Sequence, residues 1–414
     1  MKDESQGEFK GQLGLASGIL LIVTIILGSG ILVLPGLVFE KIGRDGIYAW
    51  LACSLLSVPI LTTMVVLGSA YPNTGGVAYY AKLAFGQYPE LLVALLFLGA
   101  TLLGLPSIAI VGSAYLQKLT GSSVDIHLLA ALLILLAAFF ALSGGETLSS
   151  GVRLVGGSSL FLLVGALFAI IVLAVRANGV GFSRPSNFSS IAGQIPLIFF
   201  SFTGWEIASH LSADFRNPKN FGRAMFFAFV LVCSAYVGSA ALVHIADIKA
   251  NFNTPIFQAA AQVAPSAPGW LVPLLGVSLI AANLFGSVVA VSRLVLYLSG
   301  RRFLPASLGH LSNGAPRNSV YFVAASLVVT VVCDRIGLLD IEMMFSLAGT
   351  NFIAVYVISA IALVRLRGAL VAWLLAAAIL IPSVLIIFSA ASSVSYIAST
   401  ALIAYFLNNR TRLI

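Results

Sequence analysis

From Leu91 to Gln117 the chain carries no charged side chain. A run of this length constrains the fold more than any motif does. As a helix it crosses the ~30 Å hydrocarbon layer, which takes ~20 apolar residues. In lipid every backbone N–H and C=O must also find its partner within the protein. Similar runs recur over 13–37, 47–70, 89–118, 126–142, 153–175, 190–211, 222–246, 268–298, 318–334, 338–364, 369–388 and 391–408. They exceed the ~9–11 residues of a barrel strand and do not alternate apolar with polar. The expected fold class is therefore an all-α polytopic membrane protein with twelve transmembrane helices. Composition agrees: 9% of residues are charged, against about a quarter in soluble domains.

The net charge of +8 lies in short loops, where it acts as a topology signal rather than as a surface for nucleic acid. With residues 1–12 in the cytoplasm, 15 of the 22 Lys and Arg face inward. The positive-inside rule then places both termini in the cytoplasm, and residues 409–414 read as a second tail. The polar opening reads as a retained tail rather than a signal peptide, because the span after it is too long for an h-region. Cys53, Cys233 and Cys333 sit singly in apolar runs and read as packing residues. No GK dipeptide, HExxH or GxSxG occurs, which argues against an ATP-driven pump or an intramembrane metalloprotease. No cofactor or metal is implied.

Two runs are interrupted. In TIILGSGILVLP, three poor helix formers, Gly28, Ser29 and Gly30, fall together. In IPLIFFSFTGWEIASH the interruption lies around Ser201, Phe202, Thr203 and Gly204. The two runs are the first and the sixth, five helices apart. Inverted repeats of five helices place their broken helices at corresponding positions, with the substrate between them at mid-membrane. The implied organisation is a first repeat over 13–175, an inverted second repeat over 190–364, and two further helices over 369–408. Unwinding frees N–H groups at one half-helix start and C=O groups at another's end. The former suit a carboxylate, the latter an ammonium or a cation, so two facing breaks match a zwitterionic amino acid. Small residues that merely let helices pack closely are the competing explanation.

Four motifs carry a family resemblance. They are GSGI (Gly28 to Ile31) with Pro35; YPNTGGVAYYAKLAFG (Tyr71 to Gly86); FFSFTGWEIASHLSADFRNPKNFGRA; and SRLVLYLSGRRFLP (Ser292 to Pro305), followed by Ala315-Pro316. In this order they resemble the amino acid–polyamine–organocation (APC) superfamily of secondary transporters. LGLPSIAI and EIASHLSADFRNP are most similar to the bacterial L-methionine and branched-chain amino acid exporters. Ala78 stands where the broad pattern has Tyr, and the fifth span lacks the Lys of some proton-coupled members.

The resemblance implies a LeuT-like five-plus-five fold with two additional C-terminal helices. It also implies a substrate carboxylate on the amides of Ser29, Gly30 and Ile31, and an ammonium at the carbonyls of Ile26, Phe200 and Thr203. Phe200 falls at the position of an aromatic gate, with Phe202 on the other flank of the break. No charged side chain lies in the break segments, which favours a neutral, apolar substrate side chain over arginine or polyamines.

Glu206, just after the second break, is an intramembrane carboxylate and a candidate proton carrier. His210, four residues on, shares its helix face. A carboxylate that only bonds a neighbouring helix, and an interfacial histidine, are the plainer alternatives. Gly104, Pro106, Asn283 and Ser287 are further pocket candidates. Asp214, Arg216, Asn217, Pro218, Lys219 and Arg223 form a cytoplasmic loop whose charges read first as topology and solvation, with ion pairs to Arg293, Arg301 or Arg302 that close an inner gate as the alternative. The last two spans read as scaffold or as a homodimer surface.

The expected function is alternating-access transport of neutral L-amino acids in the bacterial inner membrane, with no covalent chemistry. Export of methionine, leucine, isoleucine and valine by proton antiport is the leading form. Uptake or exchange of amino acids or amines, and a transporter-like amino acid sensor, are the alternatives.

Overall fold

The computed structural model describes residues 13–28, 30–72, 76–143, 146–178, 181, 184–209, 211–212, 215–249, 253–310, 316–388 and 391–412. Its helices are α1 (Leu15–Ile26), α2 (Gly30–Ile42), α3 (Gly46–Ala70), α4 (Gly76–Phe85), α5 (Gln87–Thr120), α6 (Ile126–Ser143), α7 (Glu146–Asn178), α8 (Phe188–Gly193), α9 (Ile195–Phe199) and α10 (Trp205–Ser209). They continue with α11 (Pro218–Ala246), α12 (Pro255–Val263), α13 (Leu271–Gly300), α14 (Arg317–Arg335), α15 (Ile341–Arg367), α16 (Leu370–Phe388) and α17 (Ala391–Arg412). Short 3-10 turns lie at Gly43–Asp45, Phe200–Phe202 and Ala306–Gly309. The described residues contain no strand, only an isolated bridge between Leu13 and Phe215.

Nine helical runs among the described residues are long and apolar enough to cross a membrane. One of them, Gly30–Ala70, joins α2 to α3 through a 3-10 turn, whereas α1 and Leu370–Val384 are shorter apolar helices. At 34 and 30 residues, α5 and α13 are about 50 and 45 Å long. They outrun the bilayer core, and tilt is one way to accommodate such length. Two helices, α4 and α12, fall where span length alone suggested loops.

The ends of the elements follow from local chemistry. Asn217 caps α11 by accepting from the Lys219 N–H at 3.0 Å, ahead of Pro218 in the first turn. Asp340 caps α15 through the Met343 N–H at 2.8 Å. The loop after α10 thus starts a helix as well as carrying charge. Arg301, read as a partner for that loop, reaches Glu90 at 3.3 Å instead, beside Lys82 and Tyr297. Asp214 lies outside the described residues. Cys53, Cys233 and Cys333 are all free thiols.

Burial sorts the helices into inner and outer sets. Of the most apolar window of α15, 78% is buried, against 22% for α6. The inner helix α15 packs on α5, which also meets α13; α11 packs on α1 and α3. Outer surfaces expose large apolar side chains such as Leu128, Phe168, Trp373 and Phe406, as lipid contact requires. The broken helices lie within the inner set.

Candidate functional site

The first interruption begins where α1 ends. Leu27 leaves helical geometry at φ −71°, ψ 89°, Gly28 is non-helical, and α2 starts at Gly30. Ser29 lies outside the described residues. The carbonyl of Ile26 has lost its intrahelical donor and accepts the Tyr236 hydroxyl at 3.0 Å. Tyr236 is held by its ring, stacked on Trp50 with centroids 5.5 Å apart.

The second interruption is tighter. After the 3-10 turn, Thr203 is extended at φ −92°, ψ 163°, and Gly204 has φ +110°, a conformation open mainly to glycine. The Phe200 carbonyl accepts the Thr203 hydroxyl at 2.8 Å and its N–H at 3.4 Å. Glu206 stands in the first turn of α10 and turns back to accept the Gly204 N–H at 3.1 and 3.0 Å. It also accepts the Tyr356 hydroxyl from α15. The carboxylate is 1% exposed. Its partners are an N–H freed by the break and the Tyr356 hydroxyl, both hydrogen-bond donors to the carboxyl oxygens.

The two interruptions touch at two points. A Cβ on Gly204 would lie 3.0 Å from Ile26 Cγ1 and 3.4 Å from its Cα, and a Cβ on Gly30 would run into the Ser201 side chain. Between them opens a cavity of about 120 Å³. That is several times the room one water needs.

The cavity gathers many of the residues singled out in the sequence. Ile26, Gly28, Gly30, Phe200, Ser201, Thr203 and Gly204 line it from the breaks, with Glu206 beside them, Gly104 from α5, and Asn283 and Ser287 from α13. Asn283 faces the first break: a Cβ on Gly28 would be 3.6 Å from its Nδ2. The Ser201 hydroxyl is buried and has no hydrogen-bond partner among the described residues.

Three candidates lie outside the lining. Ile31 is buried in the core, so only its backbone could reach a ligand. Phe202 packs into the Trp50–Tyr236 cluster, 6.1 and 5.2 Å between centroids. Its place in a helical turn sends it to the opposite side from Phe200. Pro106 is buried within α5. His210 lies outside the described residues.

Other lining residues were not among the candidates read from the sequence. Ile25, Phe97, Thr101, Ile207, Tyr236 and Phe352 reach the cavity from five different helices. Tyr236 could have been found: a tyrosine in an apolar run must place its hydroxyl on a partner, and a broken helix supplies free carbonyls. Phe97 and Phe352, edge-on at 5.4 Å, look like any lipid-facing phenylalanine in sequence. Among the described residues, Glu206 is the only formally charged lining residue, and no three His, Cys, Asp or Glu side chains form a metal-binding group.

The arrangement supplies freed amides, partly satisfied carbonyls, an orphan hydroxyl and an apolar wall in one small space. Comparison with known proteins adds to this geometry. The family model for amino acid permeases matches residues 13–406. The L-methionine/branched-chain amino acid exporter YjeH of Escherichia coli (strain K12) is 27% identical over 372 residues, covering 85% of each chain. The amino acid permease YecA of Bacillus subtilis (strain 168) is 26% identical over 358 residues, covering 85% of this chain and 84% of its own. The serine/threonine exchanger SteT of the same organism is 23% identical over 386 residues, covering 86% and 85%.

Proposed function

We propose that this chain, which belongs to the amino acid permease family, moves small neutral L-amino acids across the bacterial inner membrane by alternating access. The observation that carries the reading is the cavity where the two interruptions meet, whose described lining is uncharged apart from a Glu206 already engaged by Gly204 and Tyr356. A cationic side chain would lack a free counter-charge there, which is costly inside a membrane. An aliphatic or thioether side chain matches the wall formed by Phe97, Ile108, Phe200 and Phe352.

In this reading the substrate carboxylate meets the amides at the start of α2, from Ser29 to Ile31, with the Ser201 hydroxyl as a further donor. The ammonium meets the carbonyls of Ile26, Phe200 and Thr203. Ile26 already accepts one hydrogen bond and a carbonyl oxygen has two lone pairs, whereas Phe200 accepts both the hydroxyl and the N–H of Thr203 and would share its oxygen with the ammonium. Phe200 closes over the substrate. The scaffold is a LeuT-like five-plus-five inverted repeat with two additional helices, twelve spans in all and both termini in the cytoplasm. Support comes from the positions of the two breaks, five spans apart, and from the excess of Lys and Arg in the loops assigned inward.

Methionine and the branched-chain amino acids are the preferred substrates, exported in exchange for protons. The similarity to YjeH, an L-methionine/branched-chain amino acid exporter, supports the choice of substrates and direction. Glu206 is the proton carrier, being the only carboxyl among the described lining residues. Exchange of one amino acid for another is the second reading, favoured by the exchanger among the relatives.

Counterflow of radiolabelled leucine and methionine in proteoliposomes tests the proposal. Saturable counterflow that accelerates with an imposed proton gradient is expected. Counterflow indifferent to the gradient would leave exchange, whereas binding without counterflow would point to a sensor. Selective stabilisation by arginine or polyamines, with none by leucine or methionine, would overturn the substrate class.

A further inference from the structure

We infer that Gly104 sets the depth of the side-chain pocket by giving the Phe200 ring its seat, and so selects for larger aliphatic substrates over alanine and serine. The inference rests on the reading of this cavity as the amino acid site.

Phe200 lines the cavity from the 3-10 turn of the second interruption. Its ring lies flush against α5 at residue 104: a Cβ there would sit 2.6 Å from Cε2 and 2.8 Å from Cζ. Both are well inside van der Waals contact. The ring is confined on its other sides as well. Phe345 and Phe352 of α15 pack on it with centroids 5.0 and 6.5 Å away. Behind its backbone, Gly349 is so close that a Cβ there would meet the Phe200 amide nitrogen at 3.1 Å. A methyl group at position 104 therefore cannot push the ring toward α15 without moving a packed aromatic layer or a helix backbone. The open direction is the cavity.

The displaced atoms are the far end of a side chain that turns about two torsions, so the helices can stay where they are. Room is lost from the part of the cavity that takes the substrate side chain. The backbone groups of both breaks, which hold the carboxylate and the ammonium, are left in place. The effect is therefore graded by side-chain size. Rejection of a side chain by one methyl group amounts to roughly tenfold to a hundredfold in affinity.

The test measures thermal stabilisation of the purified full-length protein by glycine, alanine, serine, leucine, isoleucine, methionine and phenylalanine, each titrated separately. In Gly104→Ala the half-saturating concentrations of leucine, isoleucine and methionine should rise by roughly ten- to a hundredfold. Those of alanine and serine should move less than about threefold. In the Phe200→Leu background, adding Gly104→Ala should move the half-saturating concentration of leucine by less than about threefold. Phe200→Leu alone, which needs no extra room at 104, should raise affinity for phenylalanine relative to leucine, a ratio readable even if Gly104→Ala does not fold. An equal loss for all amino acids in Gly104→Ala, or an unchanged phenylalanine-to-leucine ratio in Phe200→Leu, overturns the inference while leaving the amino acid site standing. No stabilisation of the unaltered protein by any amino acid overturns both.

Discussion

The two interruptions have similar compositions and different electrostatics. Each opens at small residues, Gly28 to Gly30 in one and Ser201 to Gly204 in the other. At the second, the protein consumes most of what the break frees. Glu206 takes the Gly204 N–H, and Thr203 takes the Phe200 carbonyl through both its hydroxyl and its amide. At the first, among the described residues, Tyr236 takes the Ile26 carbonyl and no carboxylate bonds the start of α2. The difference suggests a division of labour. A self-satisfied break is a stiff joint, whereas one with unused amides can take an anion from outside.

The largest predicted effect attacks the joint. Gly204 combines a positive φ with close contact to Ile26, so Gly204→Val should cost about 3 kcal/mol or more from strain and overlap together. Folded yield by fluorescence-detected gel filtration checks this. The matching change at the first break, Gly28→Ala, meets only Asn283 at ordinary distance and should fold with near-native yield. Equal losses at both positions would erase the contrast.

Next in size is the carboxylate. Glu206→Ala leaves the Gly204 N–H and the Tyr356 hydroxyl unpaired in the interior, at about 1–3 kcal/mol for each group. Tyr356→Phe removes a donor and should cost less. A double-mutant cycle on thermal unfolding should show coupling of about 1 kcal/mol; additive losses would mean that the pair does not act as a unit. Glu206→Gln should abolish acceleration by a proton gradient, and unchanged gradient dependence would leave Glu206 with its structural part alone.

Tyr236→Phe touches the other side of the comparison. It releases the Ile26 carbonyl and should lower stability by about 1 kcal/mol. Leucine affinity should move less than about threefold by thermal-shift titration, because the oxygen stays available to an ammonium. A tenfold loss would show that the Tyr236 hydroxyl is itself needed for binding.

The smallest effect is a control remote from both breaks. Asp125, before α6, accepts the Arg335 guanidinium and the N–H groups of His127 and Leu128 at 3.0 and 3.1 Å. The hydrogen bond from Arg335 holds its carboxyl below the usual value of 3.8. A depressed folded-state pKa stabilises above the unfolded value and ceases to do so as pH falls through the folded one. Asp125→Asn should therefore lower the unfolding temperature slightly at neutral pH, by an amount that disappears in acid. Transport should not change.

The interruptions were legible in the chain because glycine and serine clusters stand out against uniformly apolar surroundings. Gly28, Gly30, Ser201, Thr203 and Gly204 all line the cavity. Phe202 did not follow, because adjacency to a break says nothing about which way a residue in a tight turn points. Tyr356, more than a hundred residues beyond Glu206 in the chain, became its partner only through the packing of α15.

Composition by itself determined that the protein is helical and built for lipid, because long uncharged runs admit few other solutions. It also marked where the broken helices lie, since glycine is poor within a helix. Only the tertiary structure decided which freed groups are used internally and which face the cavity. That outcome depends on Tyr236 of α11 reaching the Ile26 carbonyl and Tyr356 of α15 reaching the Glu206 carboxylate. Nor could sequence show that the wall is aromatic, or that Gly104 seats Phe200. A phenylalanine that faces lipid and one that faces a substrate have the same neighbours in the chain, and only packing distinguishes them.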